Sequence, residues 1–261
     1  MIDIHCHILP GVDDGAKDIE DSLEMARIAQ SEGIKTIINT SHYNRNFDYI
    51  MGKDLCDSLN QFNDLLKEHN IDVEVLIGNE LYYNDDLLED LKNDNFYTLN
   101  RSKYLLIEFS PTNFPKNLND IVYEFKIKGY VPILAHVERY RDVQEDINII
   151  KEAINEGALI QINASSILGK GPKGVDDTCN ELIRRNWVHF VGTDAHSSNR
   201  RRPLMRDAYE HVANKYGDNM ANRLFIDNSK CVINNEDILL VNEVIEVKKP
   251  GFFSKLFKRK K

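Results

Sequence analysis

Two histidines one residue apart, His5 and His7, open the chain in "MIDIHCHILPGVDDG", with the paired acids Asp13 and Asp14 close behind. Ile2, Ile4, Cys6 and Ile8 alternate with Asp3, His5 and His7. That is the pattern of a strand, whose successive side chains point to opposite faces. His5 and His7 then share one face, and Ile4 and Cys6 share the other. Neighbouring imidazoles repel if both are protonated, but as neutral rings they can hold one cation between them. A lone His-x-His pair also arises by chance, so the rest of the chain decides. Further along stand His42, Glu80, Glu108, His136, Asp194 and His196, all able to ligate a metal.

These residues must be positioned, and the surrounding sequence indicates how. Seven β-rich runs recur: "IDIHCH", "KTIINTSH" (35–42), "VEVLIGNE" (73–80), "KYLLIEF" (103–109), "YVPILAHVE" (130–138), "ALIQINAS" (158–165) and "VHFVGTDAH" (188–196). Amphipathic stretches separate them, such as "DIEDSLEMARIAQSEG", which Gly33 ends. Alternating strand and helix signals mean βαβ units and a parallel sheet, and seven of them suit a barrel better than an open sheet. Six of the seven runs end in a metal-binding side chain, whereas the sixth run ends in "NAS", which offers only weak ligands. Parallel α/β barrels gather such side chains at the C-terminal ends of their strands. His69, His189 and His211 lie elsewhere, at a helix end, a strand start and a helix face, and read as structural or solvent-exposed.

With one of Asp13 and Asp14, nine candidate ligands result: His5, His7, Asp14, His42, Glu80, Glu108, His136, Asp194 and His196. One tetrahedral ion needs at most about four ligands, so nine point to two divalent cations or three, with Glu80 as a bridge. Imidazole and carboxylate donors without thiolate suit Mn²⁺, Fe²⁺ or Zn²⁺.

At 261 residues and 42% hydrophobic content, the chain can bury one large core. The first residues move straight into a strand pattern, with neither a basic nor an apolar leader segment, so no secretory signal is expected. Cys6, Cys56, Cys179 and Cys231 are scattered without CxxC spacing, which suits reduced thiols in a cytoplasmic protein. The net charge of −9 conceals an asymmetry: "KKPGFFSKLFKRKK" (248–261) carries seven basic residues and no acid, leaving 26 basic against 42 acidic residues elsewhere. So acidic a body argues against a nucleic-acid groove. The tail combines three phenylalanines with lysines, as an interfacial anchor on an anionic membrane surface would; a solubilising tail and docking onto a partner protein are the alternatives.

The set "DIHCHILPGVDDG", "TSHY", "GNE", "IEF", "AHVERY" and "GTDAH" resembles the PHP (polymerase and histidinol phosphatase) superfamily over about residues 1–230. Within it, the chain is similar to the CpsB/CapC-type manganese-dependent tyrosine-protein phosphatases of bacterial capsule and exopolysaccharide clusters. The resemblance implies a distorted (β/α)₇ TIM-like barrel (PHP fold) over 1–245, a basic aromatic tail at 246–261, and a trinuclear metal centre. It favours Asp14 over Asp13 as ligand and matches Arg139 and Arg201 to phosphate-binding arginines, with Arg200 and Arg202 flanking the second. It also implies a phosphotyrosine protein as substrate, a membrane-linked bacterial tyrosine kinase, met at the inner face of the cell membrane.

The chemistry expected is metal-activated hydroxide attack on phosphorus, with guanidinium forks holding the equatorial oxygens. Arg139 has a plainer alternative, a surface ion pair with Glu138. "CNELIRR" offers the Cys-x₅-Arg spacing of thiolate phosphatases between Cys179 and Arg185. It has no glycine, carries Glu181 and reads as helix, so it lacks the amide cradle that such chemistry needs. Competing functions are a small-molecule phosphomonoesterase of histidinol-phosphatase type and a non-catalytic metal-stabilised module. Tyr43, Phe47, Tyr49 and Phe114, on two longer loops, are expected either to flank a tyrosyl ring or to pack their loops.

Overall fold

The computed structural model describes residues 1–84, 86–91 and 95–239; the basic tail lies outside them. Its strands, in chain order, are β1 (Ile2–Cys6), β2 (Thr36–Asn39), β3 (His42–Tyr43), β4 (Glu74–Leu76), β5 (Glu80–Tyr82), β6 (Tyr104–Glu108), β7 (Val131–Leu134), β8 (Leu159–Asn163) and β9 (Phe190–Gly192). Every pairing between them is parallel. They form one sheet ordered β1-β2-β4 and another ordered β3-β5-β6-β7-β8-β9. The ring closes where Cys6 bridges to Ala195 and the backbone N–H groups of Asp194 and His7 donate to His5 and Ala195, at 2.7 and 2.8 Å. The result is a distorted seven-stave parallel barrel.

Two staves depart from the expected single strands. "KTIINTSH" breaks into β2 and β3 at Thr40 and Ser41, and "VEVLIGNE" breaks into β4 and β5. Polar side chains take over the backbone groups that the ladder abandons there. Thr40 Oγ1 accepts from the Cys6 amide at 3.0 Å, and Asn79 donates to the Ser41 carbonyl at 2.7 Å while accepting from the Tyr97 amide at 2.8 Å.

A second departure lies in β1. Asp3 pairs with Ile37 but Cys6 with Asn39, so β1 carries one residue more than β2 over that stretch. Ile4 therefore packs in the inner cluster with Ile38, Leu106, Ile133 and Phe190, whereas Cys6 joins the outer cluster against the helices. Ile4 and Cys6 do not share a face as expected. The bulge changes the phase of the alternation between Asp3 and Cys6, a stretch that includes His5, as bulges near functional sites do. Gly192 is needed beside it, because a Cβ there would lie 2.7 Å from the Cβ of His5.

The helices follow from local signals. Asp18 accepts from the Asp21 amide at 2.9 Å to cap Ile19–Glu32, and Gly33 ends it in the left-handed conformation at φ 84°. Leu23, Met25, Ala26 and Ala29 of that helix are buried against the barrel. No helix among the described residues is long and apolar enough to cross a membrane.

His189, at the opposite end of the barrel from the predicted ligands, is buried and structural: its Nδ1 accepts from the Ile160 amide at 3.0 Å. Burial, helped by Arg223, holds its pKa down at about 3. The unfolded chain protonates this ring below about pH 6.5, while the folded protein resists until far lower. Its contribution to stability is therefore complete above pH 6.5 and lost as pH falls towards 3. Replacing His189 with Gln, which keeps an acceptor, should remove that slope. The stability difference between wild type and His189→Gln should fall by about 1.4 kcal/mol per pH unit below 6.5, measured by urea unfolding at pH 7, 6 and 5. A constant difference would contradict the buried neutral ring.

Candidate metal centre

The barrel mouth brings all nine sequence-predicted donors together. Glu80, at the start of β5, is central. Its Oε2 lies 3.1 Å from His5 Nε2, 3.3 Å from His7 Nε2 and 3.3 Å from His42 Nδ1, and its Oε1 lies 3.0 Å from His136 Nε2. Glu108, at the end of β6, approaches His42 Nδ1 to 3.2 Å. Asp194 Oδ1 sits 3.5 Å from both His5 Nε2 and His196 Nδ1. Asp14, more exposed, reaches His42 Nε2 at 3.4 Å and His196 Nε2 at 3.7 Å.

Three overlapping sets of donor atoms, each within 4.8 Å of one another, could hold an ion: His7, Asp14, His42 and His196; His5, His7, Glu80 and Asp194; His42, Glu80 and Glu108. His7, His42 and Glu80 each belong to two sets, so Glu80 has the position of a bridge. His136 adjoins the latter two sets through Glu80, and its buried Nδ1 has no hydrogen-bond partner among the described residues. Buried imidazole and carboxylate with no thiolate fit hard or borderline divalent cations.

The electrostatics match a site made for positive charge. Burial opposes protonation of His5, yet Glu80 and Asp194 beside it hold its pKa up at about 9. Burial likewise opposes protonation of His42, which Glu108 and Glu80 raise to about 10. Burial would raise Glu80 and Asp194, but the neighbouring imidazoles, with Arg201 beside Asp194, hold both carboxyls well below the usual range. His136 and Asp194 also sit at positive φ, 35° and 52°, a backbone conformation that non-glycine residues adopt at a cost of order 1–3 kcal/mol. Strained ligand-type residues at strand ends are characteristic of functional sites.

Three orienting residues went unrecognised in the sequence. Asp13, beside Asp14, is buried and accepts from His7 Nδ1 at 2.7 Å and the His42 amide at 2.8 Å. Gln161 Oε1 takes His5 Nδ1 at 3.1 Å and the His136 amide at 2.8 Å. Asn163 Nδ2 donates to Asp194 Oδ2 at 2.9 Å. The sixth run thus contributes props rather than ligands. A signal was present: Gln161 and Asn163 are polar at alternate positions of an otherwise apolar buried strand.

Both predicted arginines reach the mouth. Arg139 Nη1 donates to Asp194 Oδ2 at 3.0 Å and Arg201 Nη2 lies 2.5 Å from Asp194 Oδ1, each guanidinium remaining about half exposed. Glu138 is buried and turned to the Asn163 amide, so the Arg139–Glu138 surface pair does not form. Cys179 is buried in the helix Val175–Arg184, its thiol pushed far up by burial, while Arg185 pairs with Glu181. The Cys-x₅-Arg match is helix packing.

The loop aromatics divide. Tyr43 and Phe114 are buried, against Phe96 and against Phe109 and Tyr140 respectively. Tyr49 instead stacks on the His42 ring at 5.9 Å, and the exposed Phe47 stacks on Tyr49 at 5.2 Å. An aromatic ladder therefore leads out from the cluster.

Fold and mouth together define a PHP-type barrel with clustered metal-ligand donors. A family of capsular polysaccharide synthesis proteins, CpsB/CapC, matches residues 1–234. The tyrosine-protein phosphatase YwqE of Bacillus subtilis is 34% identical over 238 residues, covering 91% of this chain and 93% of its own. CpsB of Streptococcus agalactiae serotype III, also a tyrosine-protein phosphatase, is 33% identical over 243 residues, 91% of this chain and 100% of its own. A crystal structure from work on YwqE and Streptococcus pneumoniae CpsB, described as metal-dependent tyrosine phosphatases, superposes with a TM-score of 0.88 at 33% identity, over 96% of this chain and 100% of that one. Lactococcus lactis histidinol phosphate phosphatase shares the fold, with a TM-score of 0.55 at 13% identity over 86% of this chain and 94% of that one. The chain belongs to the CpsB/CapC family.

Gln161→Leu tests the support of the cluster. Losing its three bonds frees the His5 ring, the His136 backbone and the Asn163 side chain, so Mn²⁺ affinity should fall at least about tenfold by calorimetric titration. Unchanged affinity would make Gln161 a bystander.

Proposed function

We propose that this chain is a metal-dependent protein-tyrosine phosphatase, with His5, His7, Asp14, His42, Glu80, Glu108, His136, Asp194 and His196 holding two or three divalent ions, Mn²⁺ foremost. The observation that carries the reading is the convergence of eight of these donors in sets close enough to share an ion, with His136 3.0 Å from Glu80, beside two half-exposed arginines that share one carboxylate, Asp194. Family membership and the names of the relatives support it. When bound, the ions would supply Lewis-acid charge for a phosphate monoester and lower the pKa of a water towards neutrality. The chain's own groups do the rest. Arg139 and Arg201 have N–H groups to spare for equatorial phosphoryl oxygens, where fixed charge is worth most in the transition state. Asp194 holds the two forks at one spacing, and Asn163 holds Asp194. The Tyr49–Phe47 ladder offers an apolar face to an aryl leaving group, which favours phosphotyrosine over an alkyl phosphate.

Activity on p-nitrophenyl phosphate and a phosphotyrosine peptide with Mn²⁺ tests this. EDTA and Asp194→Ala should abolish turnover, and Cys179→Ser should leave it within about twofold. Arg139→Lys keeps the charge but loses the bidentate fork, so kcat/KM should fall at least about tenfold, or ~1.4 kcal/mol. Inactivation by iodoacetamide with full resistance to EDTA would overturn the metal reading.

The same reading takes a membrane-linked tyrosine kinase as the phosphoprotein, residues 1–245 as the phosphatase unit, and 248–261 as a contact with the anionic inner face of the membrane. Each basic residue near such a surface contributes about 1 kcal/mol, and the tail has seven. Full-length protein should sediment with anionic but not zwitterionic vesicles, and protein truncated after Val247 with neither. Equal sedimentation of the two proteins would remove the anchor.

A further inference from the structure

A groove of about 360 Å³ runs outward from the arginine side of the mouth. Its inner end is Arg139, Arg201 and Asp194; its outer end is Lys170, Arg200 and Arg202. The two ends differ in their partners. Arg139 and Arg201 both reach Asp194, whereas Lys170, Arg200 and Arg202 are exposed and make no ion pair among the described residues. Asp194, the only acid lining the groove among the described residues, is buried and already shared by the inner pair.

Five cations around one carboxylate are out of keeping with the rest of the molecule, which without its tail carries 26 basic and 42 acidic residues. Clustered like charges repel, and their field attracts an anion into the concavity between them. Two of the outer cations, Arg200 and Arg202, are also presented on a pinned loop. The Arg201 carbonyl accepts from the His196 and Ser197 amides at 2.8 and 3.2 Å, and Ser197 Oγ accepts from the Arg200 and Arg201 amides at 3.2 and 3.3 Å. The loop is thereby tied to a residue of the metal cluster, so its cations keep a set offset from the position a phosphoryl group takes. Gly171 and Pro172 line the facing wall beside Lys170. A space of this size admits two or three side chains but no folded element.

We propose that the outer groove is a specificity subsite that binds Asp or Glu side chains flanking the phosphotyrosine, making acidic phosphopeptides the preferred substrates. The proposal rests on the tyrosine-phosphatase reading and deepens it. Ion pairs of this exposed kind act mainly on encounter and selectivity, and salt screens them.

The test compares two phosphotyrosine peptides, one with acidic and one with neutral flanks, on Mn²⁺-loaded full-length protein. At low salt the acidic peptide should have the higher kcat/KM by about tenfold, chiefly through KM, and the advantage should shrink as NaCl rises. In Lys170→Ala/Arg200→Ala/Arg202→Ala the preference should fall to about twofold or less, while p-nitrophenyl phosphate turnover stays within about twofold of wild type. The charge-preserving Lys170→Arg/Arg200→Lys/Arg202→Lys variant should retain the preference. Equal rates for the two peptides in wild type would overturn the subsite and leave the phosphatase reading intact. Failure to hydrolyse either peptide would overturn both. A triple variant that loses adhesion to anionic vesicles but keeps its peptide preference would assign the groove to a lipid surface instead.

Discussion

The structure depends on one buried carboxylate. Glu80 is 1% exposed and lies within 3.3 Å of four imidazoles, from His5, His7, His42 and His136. Four histidines so crowded would drive one another apart or shed their protons, and Glu80 without them would be an expensive buried charge. Each side makes the other tolerable. The arrangement ties three sequence-distant staves to the seam strand β1, so the polar mouth holds the barrel together as well as equipping it. Because opposite charges balance only at short range in a dry site, the backbone must deliver the donors to within a few tenths of an ångström. The bulge in β1, the breaks in two staves and the positive φ at His136 and Asp194 are the means.

Much of this was legible in the sequence because parallel barrels obey a strong positional rule. Metal-binding side chains recur at the C-terminal ends of the runs, and eight of the nine candidate donors fall in sets close enough to share an ion, with His136 3.0 Å from Glu80; Asp14 rather than Asp13 follows from the resemblance, not from spacing. The histidines outside that pattern fit too: His189 is a buried neutral ring at the other end. What escaped were features that sequence expresses only through neighbours. The extra residue of β1 has no residue-type signature, so Ile4 and Cys6 were placed on one face. The break at Thr40 and Ser41 depends on side chains of Asn79 and Thr40 reaching across staves. Gln161 and Asn163 carry amides, which are poor ligands, so residue type alone does not single them out; their bonds to His5, His136 and Asp194 do.

The arginines and the aromatic ladder divide the rim. Guanidinium and ammonium groups line the groove beside Asp194, while Tyr49 stacks on His42 and Phe47 on Tyr49. A phosphate ester entering between them meets charge on its anionic end and an apolar face on its organic end.

The seam between β1 and β9 joins parts of the chain that are far apart in sequence. The backbone of His5 and His7 meets that of Asp194 and Ala195, almost two hundred residues further along. Contacts of such separation form late and slow folding, because a long loop must close before they give any return. Until that seam forms, β1 is the edge of the sheet ordered β1-β2-β4. The seam should therefore close late in folding and be the first part of the barrel to open.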